Sequence, residues 1–356
     1  MNFEERTASG KIRKGSMVKR LGVGVVGVGM LGRRHAANIA RLVPDATLVA
    51  VADVRAAAAR SVAADYGAAC WYTTAEELAA DPDVDAIVIA SIDSAHAAGI
   101  LAAAANGKPI FCEKPITTTL AEADIAISAV EKAGVQLQIG FMRRYDAAYV
   151  AAKREIEAGT IGTPIFFKNA HRGKTPEGDP RPLGDGPNPA VFVNSSIHDY
   201  DNARWLMGDE AVEVNAVATR VVAPTAGSQH GVDASVATIR FRHGGLADIE
   251  NVSATHYGYD VRTEVIGDRG TLFIGSPLQA GLMIATAAGV VQAATDHWLT
   301  RFGEAYLIEI TDWVRRTLAG EPSYVTGADG RAALEIAMAA TTSYETGKPV
   351  RIGTGE

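Results

Sequence analysis

The chain of 356 residues is 47% hydrophobic and 21% charged, and it carries a formal net charge of −7. This length predicts about two domains, each with its own core, and the composition excludes a largely disordered chain. The sequence has no run of 18 apolar residues, so no transmembrane helix is predicted. The two cysteines cannot form a disulfide framework, which favours reduced thiols and a cytoplasmic protein.

The first 20 residues form a basic segment, with six lysines and arginines against two glutamates, which leaves a net charge of −11 on the rest of the chain. An acidic body argues against a nucleic-acid partner. No lipidation signal or basic cluster indicates a membrane. The segment lacks the apolar core of a secretory signal, and Met17 lies just before the first predicted strand. We therefore expect residues 1–19 to be a flexible extension, with residues 1–16 as an upstream addition.

From residue 21 onward, short β-branched runs alternate with alanine-rich stretches of helical length. This alternation predicts βαβ units around a parallel sheet, in a domain that we place at residues 20–142. Strands are predicted at residues 22–26, 48–52, 86–90, 109–112 and 136–139.

The pattern changes near residue 143. A helix predicted at residues 146–158 is followed by longer alternating segments at residues 164–169, 212–222, 234–242, 246–255, 262–266 and 271–274. Together these segments predict a large, open, mostly antiparallel sheet in a second domain, residues 143–328, so that the fold class is α/β. Further helices are predicted at residues 198–207, 301–318 and 329–346, and the tail 329–356 is expected to pack back near the first domain. The glycine- and proline-rich stretch 173–189 is predicted to be a functional loop.

The first predicted strand leads into a glycine-rich turn that contains GxGxxG in two overlapping registers, at positions 22, 24 and 27 and at positions 27, 29 and 32. The second register follows a strand and opens a helix, as a Rossmann dinucleotide-binding turn requires. Gly27 would allow the tight turn, Gly29 the approach of a pyrophosphate, and Gly32 the close packing of the helix on the strand. Met30 and Leu31 lie between them, at the helix N-terminus that would bind the phosphates.

Asp53 ends the second predicted strand, 21 residues after Gly32. A carboxylate there accepts hydrogen bonds from ribose hydroxyls and repels a 2′-phosphate, so NAD is favoured and NADP is the weaker alternative. Arg55 opposes this preference, because it would neutralise a 2′-phosphate or stack on adenine. The preferred interpretation is that Arg55 is a solvated residue at the start of a helix.

Two further segments carry candidate catalytic residues. Glu113 and Lys114 end a predicted parallel strand, at the sheet edge where ligands of open α/β folds bind. Asn194 and His198 are spaced i, i+4 at the start of a helix and therefore face the same side. His198 with Asp199 and Asp201 would suggest a metal, but no companion cluster has ligand spacing, and no metal is predicted. Asp201 is expected to face solvent or to anchor the helix.

These features, together with three further blocks, resemble the family of glucose-fructose oxidoreductases and inositol dehydrogenases from residue 21 to residue 352. The blocks are GFMRRYD at residues 140–146 with Tyr149 after it, AHR at residues 170–172 and YGYD at residues 257–260. The resemblance implies a Rossmann domain, a C-terminal α/β domain with a large open sheet, NAD(H) and a homotetramer formed through that sheet. It implies Lys114 and His198 as catalytic residues, with Ser91, His96 and Glu113 near the cofactor. It also implies substrate contacts by Met142, Arg143, His171, Asn194, His198, Tyr257 and Tyr259.

One departure concerns the catalytic group itself: the aspartate that the family carries four residues before the histidine is Asn194 here. A neutral amide should leave His198 with a lower pKa and a less oriented ring, since a carboxylate favours the charged imidazole. We expect the reaction to be retained with a different preferred stereoisomer or pH profile. The loop 173–189 is also longer and richer in proline than the family leads us to expect, a departure that concerns the substrate and not the reaction.

The resemblance implies NAD-dependent oxidation of a secondary hydroxyl of a cyclic polyol, with an inositol as the first choice. His198 would act as general base and Lys114 would stabilise the developing negative charge, although the two roles are interchangeable at this point. A pyranose or anhydrosugar dehydrogenase is the alternative enzyme, and a non-catalytic NAD-binding sensor is the alternative from another class. An open sheet covered on one face also needs a partner for the other face, but the alternating positions Val236, Thr238, Phe241 and Ile249 do not indicate which face that is.

Overall fold

The computed structural model describes residues 20–174, 191–219, 221, 232–253, 255–276, 278–287 and 289–353. The expected N-terminal extension and most of the predicted loop 173–189 lie outside these residues. Two main sheets organise the described part of the chain, one parallel and one mostly antiparallel, so the predicted α/β class is confirmed. Within the described ranges, no helix is long and apolar enough to cross a membrane.

Strands and helices alternate along the first part of the chain. They are β1 Leu21–Val26, α1 Met30–Arg41, β2 Ala46–Ala52, α2 Ala56–Tyr66, β3 Cys70–Tyr72, α3 Ala75–Ala80, β4 Ala86–Ile89, α4 His96–Ala105, β5 Ile110–Glu113, α5 Leu120–Ala133 and β6 Leu137–Gly140. The strands form a parallel sheet in the order β3-β2-β1-β4-β5-β6. The order reverses between β1 and β4, and in such sheets a ligand crevice opens at the carboxyl ends of the strands beside the reversal. β1 is buried along its whole length, because helices cover both faces of the sheet.

The second part of the chain begins with a short 3₁₀ turn, Met142–Tyr145, and then forms the larger sheet. The elements of this second part of the chain are α6 Ala147–Glu157, β7 Pro164–Arg172, α7 Ile197–Met207, β8 Ala211–Thr219, β9 Ala234–Phe241, β10 Leu246–Val252, β11 Asp260–Gly267, β12 Thr271–Ile274, β13 Leu278–Thr286, β14 Gly289–Ala294, α8 Trp298–Ala319, α9 Gly327–Thr346 and β15 Val350–Arg351. The sheet has the order β12-β11-β7-β10-β9-β8-β15. β7 and β10 pair in parallel, whereas the other neighbours are antiparallel.

The two faces of this sheet differ in burial. Along β9, Ile239 and Phe241 are buried while Val236 and Thr238 are exposed, as the two-residue period of a strand requires. Ile249 of β10 is on the buried side with Phe241. Helices α7 and α9 pack on that side, so the open face is the one that carries Val236.

The last two helices link the two sheets. α8 packs on α1, and its buried Trp313 lies against Phe111 of β5, with ring centroids 5.9 Å apart. α9 packs on β8 and also approaches β6, where Gly330 faces Ile139. We propose to keep the domain boundaries at 20–142, 143–328 and 329–356, since the chain leaves the parallel sheet after β6.

Candidate active site

The glycine-rich turn after β1 is packed so closely that side chains would not fit at two of its positions. Gly27 has a φ of +82°, a conformation that costs glycine little, and a Cβ there would lie 2.4 Å from Ser91 Cα at the end of β4. A Cβ on Gly32 would lie 1.8 Å from the carbonyl oxygen of Gly27, whereas a Cβ on Gly29 would meet open space. The turn therefore lies beside the end of β4, with open space at Gly29.

The N-terminus of α1 is suited to an anion. Its first turn has neither a capping side chain nor an acidic residue, so backbone N–H groups are available to a phosphate. Met30 at its start is exposed and Leu31 is partly buried.

Asp53 lies at the end of β2, next to the same turn. Its Oδ2 accepts a hydrogen bond from the N–H of Val28 at 3.0 Å, and its Oδ1 accepts from Arg55 Nε at 3.0 Å. Burial raises the pKa of Asp53, but the hydrogen bonds from Arg55 and Val28 outweigh it and leave the pKa lowered. Arg55 is exposed to solvent, as expected, yet its guanidinium is paired with Asp53. A ribose would therefore have to compete with Arg55 for this carboxylate.

Lys114 extends from the end of β5 toward α7. Its Nζ donates hydrogen bonds to the backbone oxygen of Asn194 at 3.0 Å and to Asn194 Oδ1 at 3.2 Å. Burial lowers the pKa of Lys114, while the negative charges of Asp93 and Glu113 oppose the shift. The structure thus brings together Lys114 and Asn194, which the sequence separates widely.

His96 joins the two loops that follow β4 and β5. Its Nδ1 lies 2.7 Å from the carbonyl oxygen of Pro115, and its Nε2 lies 3.3 Å from that of Ser91. A carbonyl oxygen only accepts hydrogen bonds, so Nδ1, at the shorter contact, donates to the oxygen of Pro115. The buried imidazole thereby helps to position the loop that carries Lys114.

His198 is in the first turn of α7, and Asn194 precedes it in a π-helical turn, Val191–Ser195. The Nδ1 atom of His198 is buried and has no hydrogen-bond partner among the described residues. Its pKa is lowered by burial first, then by the positive charges of Lys114 and Arg143, and also by the neighbouring imidazole of His171. The lowered pKa of His198 agrees with the expectation from the sequence, but its leading cause is burial and not the amide at position 194.

Arg143 forms a buried ion pair with Asp199 of α7. Asp199 also accepts hydrogen bonds from His171 Nδ1 at 3.0 Å and from Asn169 Nδ2 at 3.0 Å. Burial raises the pKa of Asp199, but Arg143 and His171 outweigh it, so the pKa is lowered and the carboxylate stays charged. Because a carboxylate only accepts, Nδ1 of His171 carries a proton at this contact, and Nε2 is the ring nitrogen that does not face Asp199.

Sequence reasoning missed the role of Asp199 and left that of Asp201 open. Asp201 does not face solvent: it is buried, and Arg144 Nε donates a hydrogen bond to its Oδ2 at 2.9 Å. Both aspartates are therefore engaged by arginines, which accounts for these carboxylates without a metal. Two adjacent arginines, followed later by two aspartates spaced i, i+2, are the signal that would have indicated these pairs.

The remaining predicted substrate residues lie at different depths. Tyr259 is buried and its ring packs edge-on against His171, with centroids 5.5 Å apart. Met142 is buried in the 3₁₀ turn after β6. Tyr257 is directed elsewhere: its side chain is half exposed and its hydroxyl donates to Asp260 Oδ2 at 2.7 Å.

A buried polar cluster that the sequence did not reveal lies next to Lys114. His35 of α1 bonds Glu113 through Nε2 and Oε1, 2.7 Å apart, and Glu309 of α8 places its carboxyl group nearby. These three side chains offer ligand atoms within 4.8 Å of one another, a spacing that could serve a metal ion. The His35–Glu113 contact is itself a hydrogen bond, however, and burial followed by the charge of Glu113 raises the pKa of Glu309 well above its ordinary value. We infer a neutral Glu309 beside a carboxylate–imidazole pair.

The two parts of the chain match the two domains of one family. The NAD-binding Rossmann domain of an oxidoreductase family matches residues 21–141, and the C-terminal alpha/beta domain of that family matches residues 153–352. The chain belongs to this oxidoreductase family. The resemblance found in the sequence is thereby confirmed.

Several proteins similar to this chain are named inositol dehydrogenases. The scyllo-inositol 2-dehydrogenase (NAD(+)) of Bacillus subtilis is 38% identical over 328 residues, which cover 92% of this chain and 95% of that protein. The myo-inositol dehydrogenase of Lactobacillus casei, in complex with NAD(H) and myo-inositol, is 29% identical with a TM-score of 0.86 and covers 95% of this chain and 98% of its own. The scyllo-inositol dehydrogenase of the same organism, with NAD(H) and scyllo-inositol bound, has a TM-score of 0.87 at 25% identity, over 94% of this chain and 100% of its own.

The glycine turn allows folding and cofactor binding to be separated. Gly32→Ala places a Cβ against the Gly27 carbonyl and should destabilise the protein by about 3 kcal/mol. Gly29→Ala meets no neighbour and should change stability by less than about 0.5 kcal/mol, while weakening NAD binding because the methyl group occupies the approach of the pyrophosphate. Denaturant unfolding and fluorescence titration with NADH measure the two effects. Equal destabilisation by both variants would contradict this account of the turn.

The neutral state of Glu309 predicts a pH-dependent stability. The folded pKa lies above the ordinary value of 4.5, so as the pH rises above that value the unfolded chain releases a proton that the folded chain keeps, and stability falls until the folded pKa is passed. Glu309→Gln removes this titration. The Tm of the variant relative to wild type should therefore rise from pH 5 to pH 8.

Thermal unfolding followed by circular dichroism measures this difference. Glu304→Gln is the control, because Glu304 is exposed on the same helix and its replacement should leave the pH dependence of the Tm unchanged. Parallel Tm curves for wild type and Glu309→Gln would show that Glu309 is charged in the fold.

Proposed function

We propose that this protein oxidises a secondary hydroxyl of an inositol to the ketone, with NAD as the hydride acceptor. The observation that carries the proposal is the meeting of Lys114, Asn194 and His198 in one partly buried polar site at the carboxyl edge of the parallel sheet. The named activities of the inositol dehydrogenases similar to this chain support the choice of substrate.

The residues present fit an NAD molecule. The turn at Gly27 and Gly29 with the uncapped N-terminus of α1 would hold the pyrophosphate, and Asp53 would bind the ribose hydroxyls. Ser91, just after β4, and His96, at the start of α4, would border the nicotinamide side together with Glu113 and Lys114. When bound, NAD supplies the acceptor for the hydride that leaves the carbinol carbon.

His198 and Lys114 would have different roles at the reacting hydroxyl group. The lowered pKa of His198 keeps its imidazole neutral near pH 7, so a ring nitrogen is available to receive the proton. The ammonium of Lys114 would donate to the same oxygen and stabilise the negative charge that develops on it. Because Lys114 and Arg143 disfavour an imidazolium at this place, the proton must then pass on to solvent or to a neighbouring group.

Recognition of the other ring hydroxyls requires both donors and acceptors. His171 would present Nε2 to a ring hydroxyl, since its Nδ1 is held by Asp199. Asn194, Tyr259 and Met142 line the site around it in our proposal. Arg143, predicted as a direct contact, would act chiefly by keeping Asp199 charged and His171 oriented. Tyr257 stays a predicted contact at the outer rim.

We further propose a homotetramer in the cytoplasm. The open face of the second sheet carries exposed apolar side chains at Val217, Val236, Leu246 and Phe273, and a second copy covering this face would remove them from water. The unpaired Cys70 and Cys112 suit a reducing compartment.

The first test follows, at 340 nm, the formation of NADH from NAD and separately of NADPH from NADP, with myo-inositol, scyllo-inositol, D-chiro-inositol, glucose and levoglucosan. We expect turnover with at least one inositol and a preference for NAD. Lys114→Met and His198→Asn should each lower kcat by about a hundredfold or more. Lys132→Met, at an exposed position of α5, is the matched control and should retain activity.

The outcomes separate the candidate functions. Activity on glucose or levoglucosan alone would keep the dehydrogenase and replace its substrate class. Tight NAD binding without turnover on any of these compounds would instead favour a non-catalytic sensor. A preference for NADP would show that Arg55 dominates over Asp53 at the ribose.

The proposed assembly has its own test. Wild-type protein should sediment as a tetramer in analytical ultracentrifugation, and Val236→Glu should yield smaller species because it places a charge on the open sheet face. Ile125→Glu, on the exposed surface of α5, should leave the tetramer intact. A monomeric wild type at micromolar concentration would contradict the proposal.

A further inference from the structure

A carboxylate lies next to the position where the family pattern leads us to expect one. Position 194 carries an amide in this chain, so a negative charge is missing beside Lys114. Asp93 belongs to a 3₁₀ turn, Asp93–Ala95, that follows β4, and its Oδ2 accepts a hydrogen bond from Asn194 Nδ2 at 2.9 Å. No motif in the sequence indicated Asp93 as a site residue.

Hydrogen-bond chemistry determines how the Asn194 side chain is oriented between its two partners. The ammonium of Lys114 only donates, so the amide oxygen must face it, and the carboxylate of Asp93 only accepts, so the amide nitrogen must face that group. The observed contacts, 3.2 Å on the lysine side and 2.9 Å on the aspartate side, have this arrangement. The amide therefore connects the carboxylate of Asp93 with the ammonium of Lys114.

Provided that the protein is the dehydrogenase proposed above, we propose that Asp93 is a positioning residue of its active site. Through Asn194 it supplies the negative charge that the family pattern places at position 194, and it keeps the amide oxygen of Asn194 on Lys114. Compared with the family pattern, the carboxylate is one hydrogen bond farther from the lysine: Asn194 contacts Lys114, and Asp93 contacts Asn194.

The charges around Lys114 indicate what the loss of Asp93 would do. Asp93 after β4 and Glu113 on β5 favour the ammonium form of Lys114. The positive charge of Arg143 after β6 disfavours it, and His198 on α7 is an ionisable neighbour. Glu113 is already hydrogen-bonded to His35, so Asp93 is the acid linked to Lys114 through the amide. Neutralising Asp93 removes a charge that opposes the effect of burial, and the pKa of Lys114 falls further.

The test is an exchange of the two side-chain types. Asp93→Asn should lower kcat/KM by about tenfold to a hundredfold and move the alkaline limb of its pH profile down by roughly one unit. Asn194→Asp alone should also impair the enzyme, because it sets two carboxylates in contact and one of them must keep a proton. The double variant D93N/N194D restores one carboxylate and one amide, so both kcat/KM and the alkaline limb should return toward wild type.

Asp124→Asn is the control for the loss of one negative charge from the first domain. Asp124 is exposed on α5 and pairs with Arg331, far along the chain from the site, and its replacement should leave the pH profile unchanged. A wild-type pH profile for Asp93→Asn, or a double variant no more active than that single variant, would overturn the proposal. If Asp93→Asn fails to fold, the double variant alone decides, since it is expected to fold and work.

A second measurement does not depend on turnover, so failure of the proposed function remains distinguishable. The rate of Lys114 acetylation by acetic anhydride, followed by peptide mass spectrometry across pH, reports the free amine. Acetylation should be faster at a given pH in Asp93→Asn and return toward the wild-type rate in the double variant. An unchanged rate in Asp93→Asn would show that Asp93 does not act on Lys114, whatever the substrate.

Discussion

Two buried ion pairs hold the candidate active site together across the boundary between the sheets. Arg143 and Arg144 leave the parallel sheet after β6 and pair with Asp199 and Asp201 on α7. Removing one partner of such a pair leaves an uncompensated buried charge and typically costs about 3–5 kcal/mol, so α7 has one favourable position relative to the parallel sheet. His198 directly precedes Asp199 in the chain, and this position brings it to Lys114.

The same burial that orders the site also sets its proton chemistry. Loss of solvent lowers the pKa of both Lys114 and His198, because each would carry a positive charge in a poorly solvated place. The negative charges nearby oppose this lowering of the Lys114 pKa. Glu113 is held by His35, and Asp93 acts through the amide of Asn194. A neutral imidazole beside an ammonium is an arrangement suited to removing a proton and stabilising the oxygen that loses it.

Much of the fold was predictable because its signals are local. The glycine turn, the alternation of strands and helices and the change of pattern near residue 143 follow from backbone sterics and burial periods, and the family, the α/β class and the cofactor are confirmed. The three-residue strand β3 and the hairpin β13–β14 were not predicted, since short or weakly alternating strands have little pattern of their own. Parallel pairing of β7 with β10 is likewise invisible in the alternation of either strand.

By itself, the sequence determined which chemical groups this protein has and which local structures carry them: a phosphate-binding turn after β1, a lysine at a strand end and a histidine at the start of a helix. Only the tertiary structure decided which of these groups share a site and in which ionisation state. Asp93, Asp199 and Glu309 have no motif, and their roles depend on partners far along the chain. The physical reason is that hydrogen bonding and desolvation act through space, whereas sequence patterns report mainly on neighbours along the backbone.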